Sequence, residues 1–143
     1  MKIEVIGTGY VGLVSGACFS EFGFDVTCID KDPAKIQKIN QGEMPIYEPG
    51  LAELVARNAK AGRLHFDPDL AVAVAAADVV LIAVGTPTRR VDGHADLSFV
   101  YAAAEDIAKH LSGYTVVVTK STVPVGTGRD VASIIAKDRK SVV

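Results

Sequence analysis

The amino-acid sequence predicts an α/β fold with a doubly wound parallel sheet. Segments with the composition of strands alternate with segments of helical spacing along the chain, an order typical of parallel α/β sheets. The run Val79–Val84 is apolar without interruption, as expected of a strand that is buried on both faces. A glycine-rich sequence directly joins the first strand to the first helix. Because parallel crossovers are right-handed, we expect at least five strands in the order 3-2-1-4-5.

The elements follow one another with distinct boundaries. Glycines follow the ends of three predicted helices, and Pro33 and Pro68 stand where two others begin, a position that suits the fixed φ of proline. The predicted strands are Ile3–Ile6, Val26–Ile29, Leu64–Phe66, Val79–Val84 and Val116–Thr119. The predicted helices are Val11–Phe22, Pro33–Asn40, Gly50–Ala61, Pro68–Ala76, Leu97–Leu111 and Gly126–Lys137. Residues 42–49 and 86–94 are expected to be loops, and the fifth strand is expected to be buried like the fourth.

Composition limits the classes of function. The chain has 143 residues, enough for one domain, and 49% of them are hydrophobic. The net charge is −2 at pH 7 and no basic run stands out, so we expect no nucleic-acid partner and no membrane partner. The longest apolar stretch is shorter than the roughly 20 residues of a spanning helix. The first residues also lack the pattern of a signal peptide, so the expected location is the cytoplasm.

The cysteines and histidines do not indicate a metal site or a nucleophile. Cys18 and Cys28 are too few for a disulfide scaffold, and their places inside the first helix and the second strand predict buried packing residues. The three histidines, His65, His94 and His110, lack the spacing of metal ligands and are expected at exposed or loop positions.

A glycine loop with G-x-G-x-x-G spacing follows the first strand and opens the first helix. Its residues are Gly7-Thr8-Gly9-Tyr10-Val11-Gly12. In this context Gly7 permits a tight turn, Gly9 lets the backbone approach a pyrophosphate, and Gly12 lets the helix pack closely on the strand. The free N–H groups at the helix start favour an anion. The pattern therefore predicts a Rossmann NAD-binding domain, while a glycine-rich turn without a ligand is the alternative.

An acidic residue ends the second predicted strand. Asp30 lies 18 residues after Gly12, where a carboxylate can accept hydrogen bonds from the adenosine ribose of a dinucleotide. It would also repel the 2′-phosphate of NADP, and no arginine stands beside it, so the pattern favours NAD. Lys31 and Lys35 are close in sequence and weaken this electrostatic argument. A helix cap or turn residue is the alternative role for Asp30.

Hydroxyl side chains follow the fourth and fifth predicted strands. The two segments are Gly85-Thr86-Pro87-Thr88 and Lys120-Ser121-Thr122-Val123-Pro124. Ligands of open α/β sheets bind in the crevice at the carboxyl ends of the strands, where such hydroxyls can hold a ribose, an amide or a water molecule. Turn and cap chemistry explains serine and threonine at these positions equally well.

Four segments of the chain together resemble the UDP-glucose/GDP-mannose dehydrogenase family. They are Ile6-Gly7-Thr8-Gly9-Tyr10-Val11-Gly12-Leu13, Ile46-Tyr47-Glu48-Pro49-Gly50-Leu51, Val84-Gly85-Thr86-Pro87-Thr88 and Lys120-Ser121-Thr122-Val123-Pro124-Val125-Gly126-Thr127. The last three are far more specific than the glycine loop. The form of the second segment is closest to the UDP-glucose members, although members that act on GDP-mannose or UDP-N-acetylmannosamine are similar.

The resemblance implies a role for individual residues toward NAD. Tyr10 and Val11 match the residues over the pyrophosphate, and Asp30 and Lys35 match contacts with the adenosine ribose. Thr86 and Thr122 match contacts on the nicotinamide side, and the threonine at Thr122 also helps to position a catalytic water. The cofactor site expected from pattern and resemblance together consists of Gly7, Thr8, Gly9, Tyr10, Val11, Gly12, Asp30, Lys35, Gly85, Thr86, Pro87, Ser121 and Thr122.

The resemblance also implies that the chemistry needs residues outside this sequence. Family members transfer two hydrides to two NAD molecules, and a cysteine of a second domain captures the aldehyde covalently. We therefore expect residues 1–137 to be the NAD-binding half of a homo-oligomeric nucleotide-sugar dehydrogenase, without catalytic residues of its own and prone to self-association. Residues 138–143 do not match the family pattern, and we expect a non-native tail there.

Two other functions remain open at this point. An NAD(H)-sensing regulatory module would share the chain length, the glycine loop and the acid after the second strand. The segments Glu48-Pro49-Gly50-Leu51 and Lys120-Ser121-Thr122-Val123-Pro124 are not expected in such a module and therefore disfavour it. Another NAD enzyme, such as a hydroxyacid dehydrogenase, is disfavoured by the long segment 42–63 between the second and third strands.

Overall fold

Five parallel strands form one sheet in the computed structural model, which describes residues 1–138. The strands are β1 (Lys2–Ile6), β2 (Asp25–Ile29), β3 (Leu64–Asp67), β4 (Val79–Ile82) and β5 (Val116–Thr119). Their order is β3-β2-β1-β4-β5, and every neighbouring pair is parallel. The predicted fold class and strand order are therefore confirmed. Of the predicted non-native tail, residues 139–143 lie outside the described residues.

Five helices lie between the strands along the chain and a sixth follows β5, each within two residues of its predicted bounds. They are α1 (Tyr10–Glu21), α2 (Pro33–Asn40), α3 (Leu51–Lys60), α4 (Leu70–Ala75), α5 (Ser98–His110) and α6 (Thr127–Asp138). The largest shift is at α4, which begins after Pro68 because Asp69 caps it. The Asp69 carboxylate accepts a hydrogen bond from the Ala71 N–H at 2.9 Å. Among the described residues, no helix has the length and apolar character to cross a membrane.

The helices cover both faces of the sheet and enclose a hydrophobic cluster on each. On one face, Leu13 and Ala17 of α1 and Val55 of α3 pack against Val5 and Val26. On the other face, the buried apolar residues are Ile6, Ile29, Val74, Val80, Ile82, Val100, Ile107 and Val131. Burial of this apolar surface stabilises the sheet and fixes where the strand ends lie.

Two expectations about burial are wrong. The fifth strand was expected to be buried, but Val116 and Val118 are 43% and 38% exposed, because β5 is paired only with β4 and ends the described sheet. Cys18 was expected to pack in the core but is exposed. It follows buried Ala17 by one position, about 100° around α1, and so lies off the face that meets the sheet. Cys28 is buried as expected, and burial raises the pKa of its thiol to about 12.

The histidines are spread over the surface. His65 and His94 are exposed, as expected, whereas His110 is half-buried at the end of α5, where its Nδ1 lies 2.8 Å from the Asp106 carbonyl oxygen. In the part of the chain that the structure describes, no cluster of three histidine, cysteine or acidic residues is arranged to hold a metal ion.

Candidate cofactor site

The three glycines of the glycine loop differ in their surroundings. Gly7 has a φ of +107°, and a Cβ there would lie 2.6 Å from the Ala83 carbonyl oxygen. A Cβ on Gly12 would lie 1.9 Å from the Gly7 carbonyl oxygen. A Cβ on Gly9 would have no heavy atom within 4 Å. Gly7 and Gly12 are thus required by the turn and by packing, while the space beside Gly9 is open to a ligand.

The start of α1 presents free backbone donors beside that space. Gly9 is the residue that precedes the helix, and no side chain caps it. The first N–H groups of a helix have no partner within the helix, so an anion placed there can accept from them and also gains from the helix dipole. Open space and uncapped donors are what a pyrophosphate site requires.

Asp30 accepts four hydrogen bonds at the end of β2. Its Oδ2 accepts from Thr8 Oγ1 at 2.6 Å, from the Thr8 N–H at 3.2 Å and from Lys35 Nζ at 2.9 Å. Its Oδ1 accepts from the Asp32 N–H at 3.1 Å. Burial alone would raise the pKa of Asp30, but the bonds from Thr8, Lys35 and Asp32 hold this pKa below its usual value. The side chain is therefore an ionised acceptor at neutral pH.

A crevice of about 590 Å³ opens at the carboxyl ends of β1, β2 and β4. It is lined by seven of the predicted site residues, namely Gly7, Thr8, Gly9, Asp30, Lys35, Gly85 and Pro87. The lining also includes an apolar wall from Leu70, Phe99, Ala102 and Ala103. Sequence reasoning missed this wall, although the spacing of Phe99, Ala102 and Ala103 places them on one face of α5. A crevice of this size, apolar with a few polar groups, is typical of a small-molecule site.

The two strand-end segments meet, but their hydroxyls differ in placement. Thr86 Oγ1 donates to the Thr122 carbonyl oxygen at 3.0 Å, which joins the segments after β4 and β5. Ser121 is only 8% exposed, and its hydroxyl lies 2.8 Å from the Val84 carbonyl oxygen, to which it donates. A contact between Ser121 and the cofactor stays a prediction, and the buried hydroxyl favours instead a role in holding the two strand ends together.

The loop after α2 reaches the glycine loop. The Tyr10 hydroxyl donates a hydrogen bond to the Glu48 carboxylate, and this bond raises the pKa of the Tyr10 phenol. Both side chains lie at the surface, and Tyr47 beside them is also exposed. Sequence reasoning had placed residues 46–51 and the glycine loop in one resemblance but had not predicted that they touch. Two motifs that are separate in the sequence do not show how far apart they lie in the folded chain.

The comparison with known proteins identifies the assembly of motifs around this crevice. The model described as UDP-glucose/GDP-mannose dehydrogenase family, NAD binding domain, matches residues 1–142. The chain belongs to this family. The UDP-glucose 6-dehydrogenase of Rhizobium meliloti (strain 1021) is 67% identical over 135 residues, which are 94% of this chain and 31% of that protein.

Solved structures of family members have the same fold. The UDP-glucose dehydrogenase of Pyrobaculum islandicum superposes with a TM-score of 0.92 at 40% identity, over 99% of this chain and 33% of that one. The GDP-mannose dehydrogenase of Pseudomonas aeruginosa gives a TM-score of 0.91 at 36% identity, again over 99% and 33% of the two chains. This family chain therefore spans about a third of the length of the relatives that it matches.

The geometry of the crevice fits the cofactor of the family, NAD. The open face at Gly9 offers room and donors for a pyrophosphate, and the ionised Asp30 offers an acceptor for a ribose hydroxyl. The family assignment and this fit agree, so NAD is the cofactor of the domain. The family match decides against the two alternatives left open above, an NAD(H)-sensing regulatory module and a hydroxyacid dehydrogenase.

Proposed function

We propose that this chain is the NAD-binding part of a UDP-glucose 6-dehydrogenase. The whole enzyme would oxidise the C6 alcohol of UDP-glucose to a carboxylate, with two hydrides transferred to two NAD molecules and water supplying the second oxygen. Bound NAD supplies the hydride acceptor. The identity of 67% with a relative of that name supports UDP-glucose over other nucleotide sugars. The ionised Asp30 beside the open face at Gly9 is the observation that carries the NAD-binding role.

The dinucleotide would lie across the carboxyl ends of the strands. Its pyrophosphate would sit at Gly9 and the first N–H groups of α1, with Tyr10 and Val11 above it. Tyr10 and Val11 are 54% and 39% exposed, so both can be covered by a ligand. The apolar wall with Leu70 and Phe99 lines the same crevice as Asp30 and suits an adenine ring.

Asp30 would select NAD by its charge. Its carboxylate can accept from the adenosine ribose hydroxyls, and such charge-assisted bonds contribute about 1.5–3 kcal/mol each. The neighbouring cation Lys31 pairs with Asp106 at the surface, with its Nζ 2.7 Å from Asp106 Oδ2. Lys35 is likewise paired with Asp30 at 2.9 Å. A 2′-phosphate would therefore meet a carboxylate whose nearest cations are already engaged.

The strand-end segments would hold the nicotinamide half. Gly85 and Pro87 line the crevice, and the bond between Thr86 and Thr122 keeps the two segments together at its edge. In the whole enzyme, Thr122 would also position the water that completes the oxidation. Neither cysteine lines the crevice, since Cys28 is buried in β2 and Cys18 is exposed on α1. The nucleotide sugar and the aldehyde-capturing group would be held by residues beyond this chain, in an enzyme that we expect to be a homo-oligomer.

Calorimetry on the purified chain tests the role of Asp30. NAD and NADP would be titrated into the unmutated chain, Asp30→Ala and the control Asp32→Ala. We expect NAD to bind more tightly than NADP, and Asp30→Ala to weaken NAD binding by about tenfold or more and to reduce the preference. Asp32 is two residues away and caps α2, so its loss should affect stability but not the preference. Equal affinity of the unmutated chain for both cofactors would refute the role of Asp30.

A further inference from the structure

Thr8 is the variable residue between the first two glycines of the loop, yet it is completely buried. Its hydroxyl and its N–H both donate to Asp30 Oδ2, at 2.6 and 3.2 Å. These are the hydrogen bonds of the Thr8 side chain and N–H in the structure, so neither group is directed at a pyrophosphate. A contact between Thr8 and the cofactor stays a prediction, while its side chain contacts the residue proposed to bind the ribose.

The donors around Asp30 are distributed unequally between its two oxygens. Oδ2 accepts from Thr8 Oγ1, the Thr8 N–H and Lys35 Nζ, whereas Oδ1 accepts from the Asp32 N–H alone. Each carboxylate oxygen has about two lone-pair sites. Oδ2 is therefore saturated, and Oδ1 keeps an open position for one more donor. Thr8 supplies two of the four bonds, and both of them go to Oδ2.

We propose that Thr8 is a positioning residue that fixes the Asp30 carboxylate so that Oδ1 is presented to the adenosine ribose. The inference rests on the proposed contact between Asp30 and that ribose. Without the Thr8 hydroxyl, rotation of the carboxylate is limited only by Lys35, a long side chain that is partly exposed, and by two backbone N–H groups. Binding would then include the cost of ordering the carboxylate, and a turned carboxylate would oppose a 2′-phosphate less effectively.

Calorimetry on Thr8 variants of the full chain tests the proposal, with NAD and NADP as the ligands. Thr8→Val keeps the branched shape and removes the hydroxyl, and we expect NAD to bind about 5- to 20-fold more weakly with a smaller preference over NADP. Thr8→Ser restores the hydroxyl and should return both values to within about twofold of the unmutated chain. Thr8→Ala serves as a second hydroxyl-free variant if Thr8→Val does not fold, as judged by circular dichroism.

A double-mutant cycle separates this role from a merely structural one. If Thr8 acts through Asp30, Thr8→Val should weaken NAD binding by less than about twofold when Asp30 is already alanine. Equal losses in both backgrounds would overturn the proposal, because Thr8 would then act independently of Asp30. Unchanged NAD binding in Thr8→Val, together with a loss in Asp30→Ala, would also overturn it and leave the proposed function standing. If Asp30→Ala itself binds NAD normally, the ribose contact fails and the role of Thr8 fails with it.

Discussion

Gly9→Ala and Gly12→Ala should separate cofactor binding from folding. The Cβ of an alanine at position 12 would lie 1.9 Å from the Gly7 carbonyl oxygen, well inside van der Waals contact. The obstructing atom is backbone, and Gly7 is itself fixed at a φ of +107° against Ala83, so neither side can yield easily. We expect a loss of about 3 kcal/mol, at the upper end of overpacking costs. For a chain of this size that corresponds to a fall in Tm of roughly 10 °C.

Gly9→Ala is the matched partner of this variant, in the same loop and with the same added methyl group. Gly9 has a φ of −77°, which alanine adopts without strain, and its Cβ would meet nothing within 4 Å. We expect the free energy of unfolding to change by less than about 1 kcal/mol. The methyl group would occupy the open space assigned to the pyrophosphate, so NAD should bind at least about tenfold more weakly.

Thermal unfolding with and without NAD, combined with calorimetry, checks both variants. The prediction requires Gly12→Ala to lose stability and Gly9→Ala to lose affinity at nearly unchanged Tm. Full stability of Gly12→Ala would show that the close packing of the loop on α1 is wrong. Normal NAD affinity of Gly9→Ala would show that the pyrophosphate lies elsewhere.

Three further predictions concern stability, association and turnover. Glu4 is 4% exposed in the central strand and burial raises its pKa to about 7, so the folded chain binds an extra proton between pH 4.5 and 7. The contribution of Glu4 to the free energy of unfolding is fully present below pH 4.5 and falls by up to about 3 kcal/mol as the pH rises to 7. In urea unfolding at those pH values, Glu4→Gln should show a flatter dependence of stability on pH. An unchanged slope in Glu4→Gln would assign the pH dependence to another group. The exposed valines of β5 should promote self-association of the chain. Val118→Lys should therefore elute from a size-exclusion column with a smaller apparent mass than the unmutated chain. Equal elution of the two would count against β5 as the contact. The purified chain with NAD and UDP-glucose should give no sustained rise in NADH absorbance, because sugar positioning supplies much of the rate of hydride transfer. Turnover that is lost in Cys18→Ala would contradict the inference that no cysteine of this chain acts as the nucleophile.

The features that sequence predicted best are those set by local pattern and chain-wide rules. The strand order followed from alternation and right-handed crossovers, and the helix bounds followed from glycines, prolines and apolar spacing. The open space at Gly9 and the position of Asp30 directly after β2 were predictable for the same reason, because strand–glycine loop–helix geometry fixes both within one β–α–β unit.

The features that sequence missed depend on contacts between distant segments. Thr8 is turned inward because its hydroxyl donates a hydrogen bond to Asp30, which lies 22 residues later in the chain. The bond between Tyr10 and Glu48 likewise joins residues 38 positions apart. The prediction that β5 is buried was wrong because a run of valines resembles a central strand. The neighbours of a strand, rather than its own residues, decide its burial. Single-sequence patterns contain no distance information of this kind.

A crystal structure of this chain with NAD is the most direct test of the binding site. We predict that the pyrophosphate lies against Gly9 and the first N–H groups of α1, and that a hydroxyl of the adenosine ribose lies within hydrogen-bonding distance of Asp30 Oδ1. Thr8 should keep its bond to Oδ2 in that complex. A dinucleotide bound away from the carboxyl ends of β1 and β2, or a ribose without contact to Asp30, would refute the proposed binding site.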